Sequence, residues 1–180
     1  MSNLPALEPA DTTGRAADLL DAARKQLGGM PNMIKTMANS PALLDAYLAM
    51  SAKLATGDLP APVRERLAIT VAQYDGCSYC LSAHTYLGGA VAKIGADELE
   101  RARFAKSDDQ HTAALLALAD AIVRTRGHVD AETLTAARLN GVTDAEIGEV
   151  VGHVALNVLT NYFNVLADVE IDWPVTVSAE

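Results

Sequence analysis

Residues that begin and end helices divide this chain into segments of helical length. Ser40 and Pro41 pair a preferred N-cap residue with the residue best suited to the first helical position, and Gly57 follows at the end of that segment. Between such signals apolar residues recur every three or four positions, and no segment alternates apolar and polar residues as a half-buried strand does. The predicted helices cover about residues 15–27, 41–56, 63–74, 78–94, 97–104, 107–126, 130–140 and 143–169. We therefore predict an all-α fold, a multihelical bundle whose helices are joined by short loops.

Side-chain caps are also predicted for three further helices. Ser107 with Gln110 and Thr143 with Glu146 each have the spacing of a capping box, in which a hydroxyl residue is followed three positions later by Glu or Gln. Asp97 is the predicted N-cap of the short helix that precedes the first of these boxes. The caps assign the start of each helix to a definite residue.

Composition agrees with a helical protein of one domain. Half of the residues are hydrophobic but only 4% are aromatic, and alanine makes up nearly a fifth of the chain. Small side chains allow helices to pack closely, whereas strands favour aromatic and β-branched residues. A length of 180 residues with no linker rich in glycine or proline predicts a single domain over residues 1–180.

Net charge and hydropathy exclude several classes of partner. The chain carries a formal charge of −9, which repels phosphate backbones and anionic membranes, so we expect no binding to nucleic acid. The first residues lack a basic start followed by an apolar stretch, and no segment approaches the ~20 apolar residues that cross a bilayer. We therefore expect no membrane association and a cytoplasmic location.

The two cysteines, Cys77 and Cys80, lie three residues apart at the start of a predicted helix. Two are too few for the disulfide framework of a small secreted domain. A helix places Cys80 and His84 on one face, with Cys77 one turn earlier, and unsatisfied N–H groups at a helix start favour the thiolate. A nearby imidazole can accept a thiol proton. The spacing predicts thiol redox chemistry, in which one thiol is oxidised by a peroxide and the second closes a disulfide.

Two other interpretations of these residues remain open. Two thiolates, an imidazole and a carboxylate can complete a tetrahedral zinc shell, and two buried cysteines can also act as small apolar side chains. Structural zinc sites usually use more cysteines on an irregular loop, whereas Cys80 and His84 lie within a predicted helix. We therefore favour the redox interpretation, and we expect neither a metal nor another cofactor.

The spacing of Glu65, Cys77, Cys80 and His84 is E-x11-C-x2-C-x3-H. This pattern resembles that of the alkylhydroperoxidase D-like group within the carboxymuconolactone decarboxylase superfamily. The residues around the glutamate and the cysteines also look like that group, and the resemblance extends from about residue 31 to residue 164. It therefore covers most of the chain.

The resemblance implies an all-α antioxidant enzyme that forms a homotrimer or a hexamer. It implies that Glu65 begins a proton relay that His84 assists, that Cys80 attacks the peroxide and that Cys77 resolves the product. The best-known members have a histidine where this chain has Tyr79, so the relay is expected to be shorter or to pass through the phenol or a water. The position of Cys77 at the helix end predicts the opposite order of the two thiols.

The expected reaction is reduction of hydrogen peroxide or an organic hydroperoxide. The electrons are expected to come from a dithiol partner such as thioredoxin or a lipoyl protein. One alternative is lactone decarboxylation, which gives the superfamily its name and does not need a C-x-x-C pair. The other is a non-catalytic helical oligomer in which the disulfide is a staple or a redox sensor.

A polar stripe runs along the last long predicted helix. Its members recur every three or four residues in an otherwise apolar segment, which puts them on one face. Such a stripe can line a substrate channel, form a subunit contact or be a solvated face, and the sequence leaves these alternatives open. The stripe comprises His153, Asn157, Asn161, Asn164 and Asp168.

Overall fold

The computed structural model describes residues 2–177, and within this range nine α-helices and no strands are present. The prediction of an all-α fold is therefore confirmed. The helices are α1 Gly14–Leu27, α2 Asn32–Met37, α3 Pro41–Leu54, α4 Ala61–Tyr74, α5 Ser78–Ala90, α6 Ala96–Ala102, α7 Gln110–Thr125, α8 Ala131–Leu139 and α9 Asp144–Ala167.

The central helix is α4, which packs against α5, α6, α7 and α9. Every residue from Leu67 to Ala72 is buried, so this helix is enclosed on more than one face. Alanines at positions 68 and 72 allow its neighbours to approach closely. Buried apolar residues from all nine helices form one cluster around it.

Two of the predicted caps are wrong. Asp109 rather than Ser107 is the N-cap of α7, because the Ser107 hydroxyl is already bonded to Glu98 Oε2 at 2.6 Å. Helix α6 begins after Gly95, and Asp97 lies within its first turn. Both errors are displacements of two residues, and for α7 the contact between Ser107 and Glu98 accounts for the difference.

Helix α5 is shorter than predicted and ends at Ala90 rather than near Ile94. The chain leaves the helix because Lys93 adopts a left-handed conformation with φ of 59° and the N–H of Ile94 bonds to the carbonyl of Gly88. A Cβ at Gly88 would lie 2.7 Å from Leu99 Cδ2. Glycine at this position therefore allows α6 to pack against α5.

Helix α2 has no counterpart among the predicted helices. Its six residues are too few to show a helical period, although Met33, Ile34 and Met37 are buried. The N–H of Asn32 donates to Asp172 Oδ2 at 2.8 Å, which ties the start of α2 to the segment after α9. This contact brings the C-terminal segment beside the first helices.

Helix α9 is the longest, with 24 residues, and it begins with the predicted capping box of Thr143 and Glu146. Its mean hydropathy of 1.3 and its length are enough to cross a membrane, contrary to our expectation that no segment approaches a span. It packs against α3, α4, α5 and α7 and buries one face, as the core helix of a protein also does. A membrane-spanning helix and the core helix of a folded protein therefore share this length and hydropathy.

Glu149 of α9 holds the loop that precedes α4. Its carboxylate accepts hydrogen bonds from the backbone N–H groups of Asp58 at 2.7 Å and Leu59 at 3.0 Å. Arg64 donates to the carbonyl of Leu59 at 2.6 Å, and a side chain at Gly57 would collide with the carboxylate. These contacts fix the start of α4 against α9.

We expect Glu149→Ala to lower the free energy of unfolding by about 2 kcal/mol, since two backbone N–H groups lose their acceptor. Urea denaturation measures this loss. Glu170→Ala is a matched control at an exposed carboxylate and is expected to change stability by less than about 0.5 kcal/mol. Equal effects of the two substitutions would contradict the role assigned to Glu149.

Candidate active site

The two cysteines lie at the start of α5, where the prediction placed them. Gly76, with φ of 68°, turns the chain between α4 and α5, and Cys77 is the N-cap of α5. The Sγ atom of Cys77 accepts a hydrogen bond from the backbone N–H of Cys80 at 3.2 Å. Both cysteines are free thiols, and they are only 1% and 3% exposed. The pair is therefore buried, with the first sulfur at the positive end of the helix.

Glu65 of α4 and His84 of α5 are in direct contact, with Oε2 and Nδ1 separated by 2.8 Å. Both side chains are partly exposed, at 22% and 26%. The hydroxyl of Tyr79 lies elsewhere, because it accepts a hydrogen bond from the N–H of Met33 in α2 at 3.1 Å. The contact between Glu65 and His84 is thus direct and does not involve the phenol of Tyr79.

A cavity of about 280 Å³ lies beside these residues. Cys80, Glu65 and His84 line it, whereas Cys77 does not. Apolar side chains that include Leu156 and Trp173 form another part of its wall. A small molecule in this cavity would therefore meet Cys80 and the glutamate–histidine pair, and Cys77 would stay behind them.

The two thiols differ in their electrostatic surroundings. A hydrogen bond from the Cys80 thiol lowers the pKa of Cys77, against the opposing effect of burial. Burial raises the pKa of Cys80 well above the ordinary thiol value, and the hydrogen bond and negative charge of Cys77 raise it further. The pKa values of the two thiols are therefore shifted in opposite directions, downward for Cys77 and upward for Cys80.

Each of the two expected thiol orders thus describes a different property. Cys77 at the helix end is the better thiolate, as the helix position predicts. Cys80, which the resemblance makes the attacking thiol, is the one that lines the cavity. Acidity and access are divided between the two sulfurs.

Two further residues contact this site. Asn164 of α9 donates from Nδ2 to Cys80 Sγ at 3.1 Å, which favours the charged form of that thiol. Tyr47 of α3 also lines the cavity, and burial is the main cause that raises its pKa to about 12. The polar stripe signalled Asn164, whereas Tyr47 occupies an ordinary apolar position of its helix and gave no signal.

The polar stripe on α9 is mostly buried, so the solvated-face alternative is wrong for four of its members. Asp168 alone is exposed, as the C-cap of α9. Asn161 donates to Asp75 Oδ2 at 2.8 Å, at the turn before α5. The other buried members line the cavity, and they are His153, Asn157 and Asn164.

Metal ligation was the alternative use of these side chains. Among residues 2–177 no three or more His, Cys, Asp or Glu side chains are arranged to hold a metal ion. Glu65 and His84 instead bond to each other.

We expect Cys80→Ala to raise the pKa of Cys77, because the thiolate loses the S–H donor that stabilises its charge. The reverse variant, Cys77→Ala, is expected to lower the pKa of Cys80, because a nearby negative charge is removed. Thiolate absorbance measured against pH in each variant shows both shifts. Identical titration of the two single-cysteine proteins would contradict the opposite pKa shifts assigned to Cys77 and Cys80.

Comparison with known proteins gives a match to a protein family and matches to solved structures. Residues 41–122, from α3 into α7, match the model of the carboxymuconolactone decarboxylase family. This segment is somewhat less than half of the chain, and it includes Glu65, Cys77, Cys80 and His84. No curated protein matches the chain significantly.

Solved structures share the fold over nearly the whole chain. An alkylhydroperoxidase AhpD core protein, described as peroxidase-related, from Ralstonia eutropha JMP134 has a TM-score of 0.83 at 21% identity, with coverage of 95% of this chain and 92% of that one. A peroxidase-related protein from Silicibacter sp. TM1040 has a TM-score of 0.78 at 22% identity, covering 94% and 91%.

A third structure is that of the debrominase Bmp8, in which a cysteine-to-alanine variant is in complex with 2,3,4-tribromopyrrole. Its TM-score is 0.79 at 21% identity, with coverage of 96% of this chain and 92% of that one. At such identities the likeness shows the fold, and the family match covers the helices that carry the candidate site. The chain therefore has the fold of these solved structures, and its residues 41–122 are similar to the carboxymuconolactone decarboxylase family.

Proposed function

We propose that this protein is a thiol-dependent peroxidase or disulfide reductase that uses Cys77 and Cys80 as a redox pair. One observation carries the proposal: two free thiols lie together at the start of α5, and one of them lines a cavity beside Glu65 and His84. The peroxidase-related structures with this fold are consistent with it. The substrate is hydrogen peroxide or an organic hydroperoxide.

The first step oxidises Cys80. Its sulfur attacks the terminal oxygen of the hydroperoxide, so that an S–O bond forms and the O–O bond breaks. The thiol proton passes along the existing hydrogen bond to the thiolate of Cys77. The leaving alkoxide or hydroxide takes a proton from the pair of Glu65 and His84, which line the same cavity.

The second step closes the disulfide. The sulfur of Cys77 attacks the sulfur of the Cys80 sulfenic acid, the S–O bond breaks, and the released hydroxide leaves as water with the Cys77 proton. A partner dithiol, such as thioredoxin or a lipoyl protein, then reduces the disulfide by exchange and is itself oxidised. The peroxide thus accepts two electrons that come from the partner.

We also propose that the protein is a cytoplasmic homo-oligomer, a trimer or a hexamer, as the resemblance implies. Exposed apolar side chains on the outer face of α9 support self-association. They include Val151, Tyr162, Val165 and Leu166. Sedimentation velocity measures the number of chains.

Reductive dehalogenation is a second candidate, because a debrominase has the same fold. In that reaction a carbon–bromine bond becomes a carbon–hydrogen bond, bromide leaves, and a dithiol supplies two electrons. Lactone decarboxylation is a third candidate, and its only support is the name of the family. It needs no thiol pair, so a variant that lacks both cysteines separates it from the other two reactions.

A panel of substrates tests these reactions. Hydrogen peroxide, cumene hydroperoxide, a bromopyrrole and a carboxymuconolactone are each incubated with the protein and a dithiol, alongside the Cys77→Ser/Cys80→Ser variant. We expect consumption of a hydroperoxide that the double variant does not catalyse. Activity of that variant, or consumption of only another substrate, would contradict the proposal.

The single variants test the two thiol roles. We expect Cys80→Ser to abolish turnover, since the thiol in the cavity is lost, and Cys77→Ser to allow one oxidation of Cys80 without recycling. Rapid-mix kinetics with trapping of the sulfenic acid by dimedone measures this difference. Equal residual turnover in the two variants would contradict the assignment.

The pair of Glu65 and His84 is tested by a double-mutant cycle. We expect Glu65→Gln to lower kcat roughly a hundredfold, because proton transfer to the leaving oxygen loses its donor. His84→Ala is expected to have a similar effect, and the double variant little more than either, because the two residues act as one unit. Glu132→Gln, an exposed carboxylate on α8, is the control. Multiplicative losses in the double variant would show that the two residues act separately.

A further inference from the structure

One face of α9 forms a polar wall along the cavity. His153, Asn157, Thr160 and Asn164 line it at intervals of four, three and four residues. His153 and Asn164 are eleven positions apart, which is about 16 Å along the helix axis at 1.5 Å per residue. Asn164 contacts the Cys80 sulfur, so His153 marks the end of the wall farthest from the thiol.

His153 has an unused hydrogen-bonding atom in this wall. The side chain is only 5% exposed, and its Nε2 atom is buried with no partner among the described residues. Asn157 does not supply one, because its Nδ2 donates to the backbone carbonyl of His153 at 2.8 Å. A buried polar atom without a partner is costly and uncommon in folded proteins. Its position in the wall of a cavity points to a ligand as the partner.

The charges around His153 define the kind of group it can bind. Burial and the positive charge of Arg64 lower its pKa, while Glu149 and Glu65 oppose this effect. The imidazole is therefore neutral at neutral pH, and its ring nitrogens provide one donor and one acceptor. A neutral imidazole beside these carboxylates is suited to a neutral hydroxyl, amide or N–H group and not to an anion.

The size of the cavity indicates an organic ligand. Its volume is about 280 Å³, whereas one water occupies about 30 Å³ in the liquid. Hydrogen peroxide has two heavy atoms and would leave most of this space unfilled. Apolar side chains such as Leu156 and Trp173 are suited to the hydrocarbon body of a larger molecule.

We propose, on the basis of the peroxidase function above, that His153 is a specificity-determining residue for organic hydroperoxides. Its Nε2 pairs with a neutral hydrogen-bonding group at the end of the substrate remote from the O–O bond. The reacting oxygen lies at Cys80, and the hydrocarbon body lies between the two. Neither thiol touches the remote group, so recognition is separable from redox chemistry.

Binding of two ligands of equal heavy-atom number tests this recognition. 4-Isopropylbenzyl alcohol and 1-ethyl-4-isopropylbenzene differ only by a hydroxyl in place of a methyl group. Calorimetric titration gives the ratio of their Kd values for the wild-type protein and for His153→Phe. We expect the preference for the alcohol to fall roughly tenfold in the variant, the scale of one buried hydrogen bond. An unchanged ratio would overturn the proposal.

Two further variants control for structural effects. His153→Gln retains a hydrogen-bonding side chain and is expected to keep most of the preference for the alcohol. His128→Phe makes the same chemical change at an exposed position and is expected to bind both ligands as the wild type does. Loss of binding of both ligands in His153→Phe, with His153→Gln equally impaired, would show a packing role and overturn the proposal.

The binding experiment requires no turnover, so its failure is distinguishable from failure of the proposed function. The protein could prefer the alcohol, lose that preference in His153→Phe, and yet consume no hydroperoxide. That result would support recognition by His153 and overturn the proposed peroxidase function. Consumption of hydroperoxide, with the same Kd ratio in the wild type and in His153→Phe, would support the peroxidase function and overturn the role of His153.

Discussion

The site depends on two buried thiols held together at the start of α5, with Cys77 as the N-cap and Cys80 three residues later. Two negatively charged sulfurs placed together would repel each other in a medium of low dielectric constant, so ionisation of one thiol disfavours ionisation of the other. The backbone N–H of Cys80 stabilises the first sulfur, and Asn164 is bonded to the second. The lowered pKa and the contact with the cavity therefore belong to different sulfur atoms.

Packing of α4, α5 and α9 makes this arrangement possible. Helix α4 is enclosed by apolar contacts, and its partly exposed Glu65 is left facing His84 of α5. Helix α9 contributes a polar face to the interior, where most buried faces are apolar. Buried amides and an imidazole there cost stability unless they are bonded, and two of them, Asn161 and Asn164, are bonded to the turn before α5 and to the thiol of Cys80. The polar face of α9 therefore has a use beyond packing, as the wall of the site.

Much of the fold could be predicted from local signals. The capping box of Thr143 and Glu146, and the helix that starts after Cys77, depend on residues within one turn of each other. Two of the errors involve contacts outside the helix concerned. Ser107 is bonded to Glu98 and so does not cap α7, and α2 is held in place by Asp172 from the far end of the chain.

The sequence by itself determined the helical class, the position of the thiol pair at a helix start and the spacing of the four candidate residues. These follow from capping, periodicity and the geometry of a single helix, which act over a few residues. Only the tertiary structure decided that Glu65 contacts His84, that Cys80 rather than Cys77 lines the cavity, and that the stripe on α9 is buried. Contacts between helices, burial and the pKa of a buried thiol depend on residues far apart in the chain, and no local pattern determines how those helices pack.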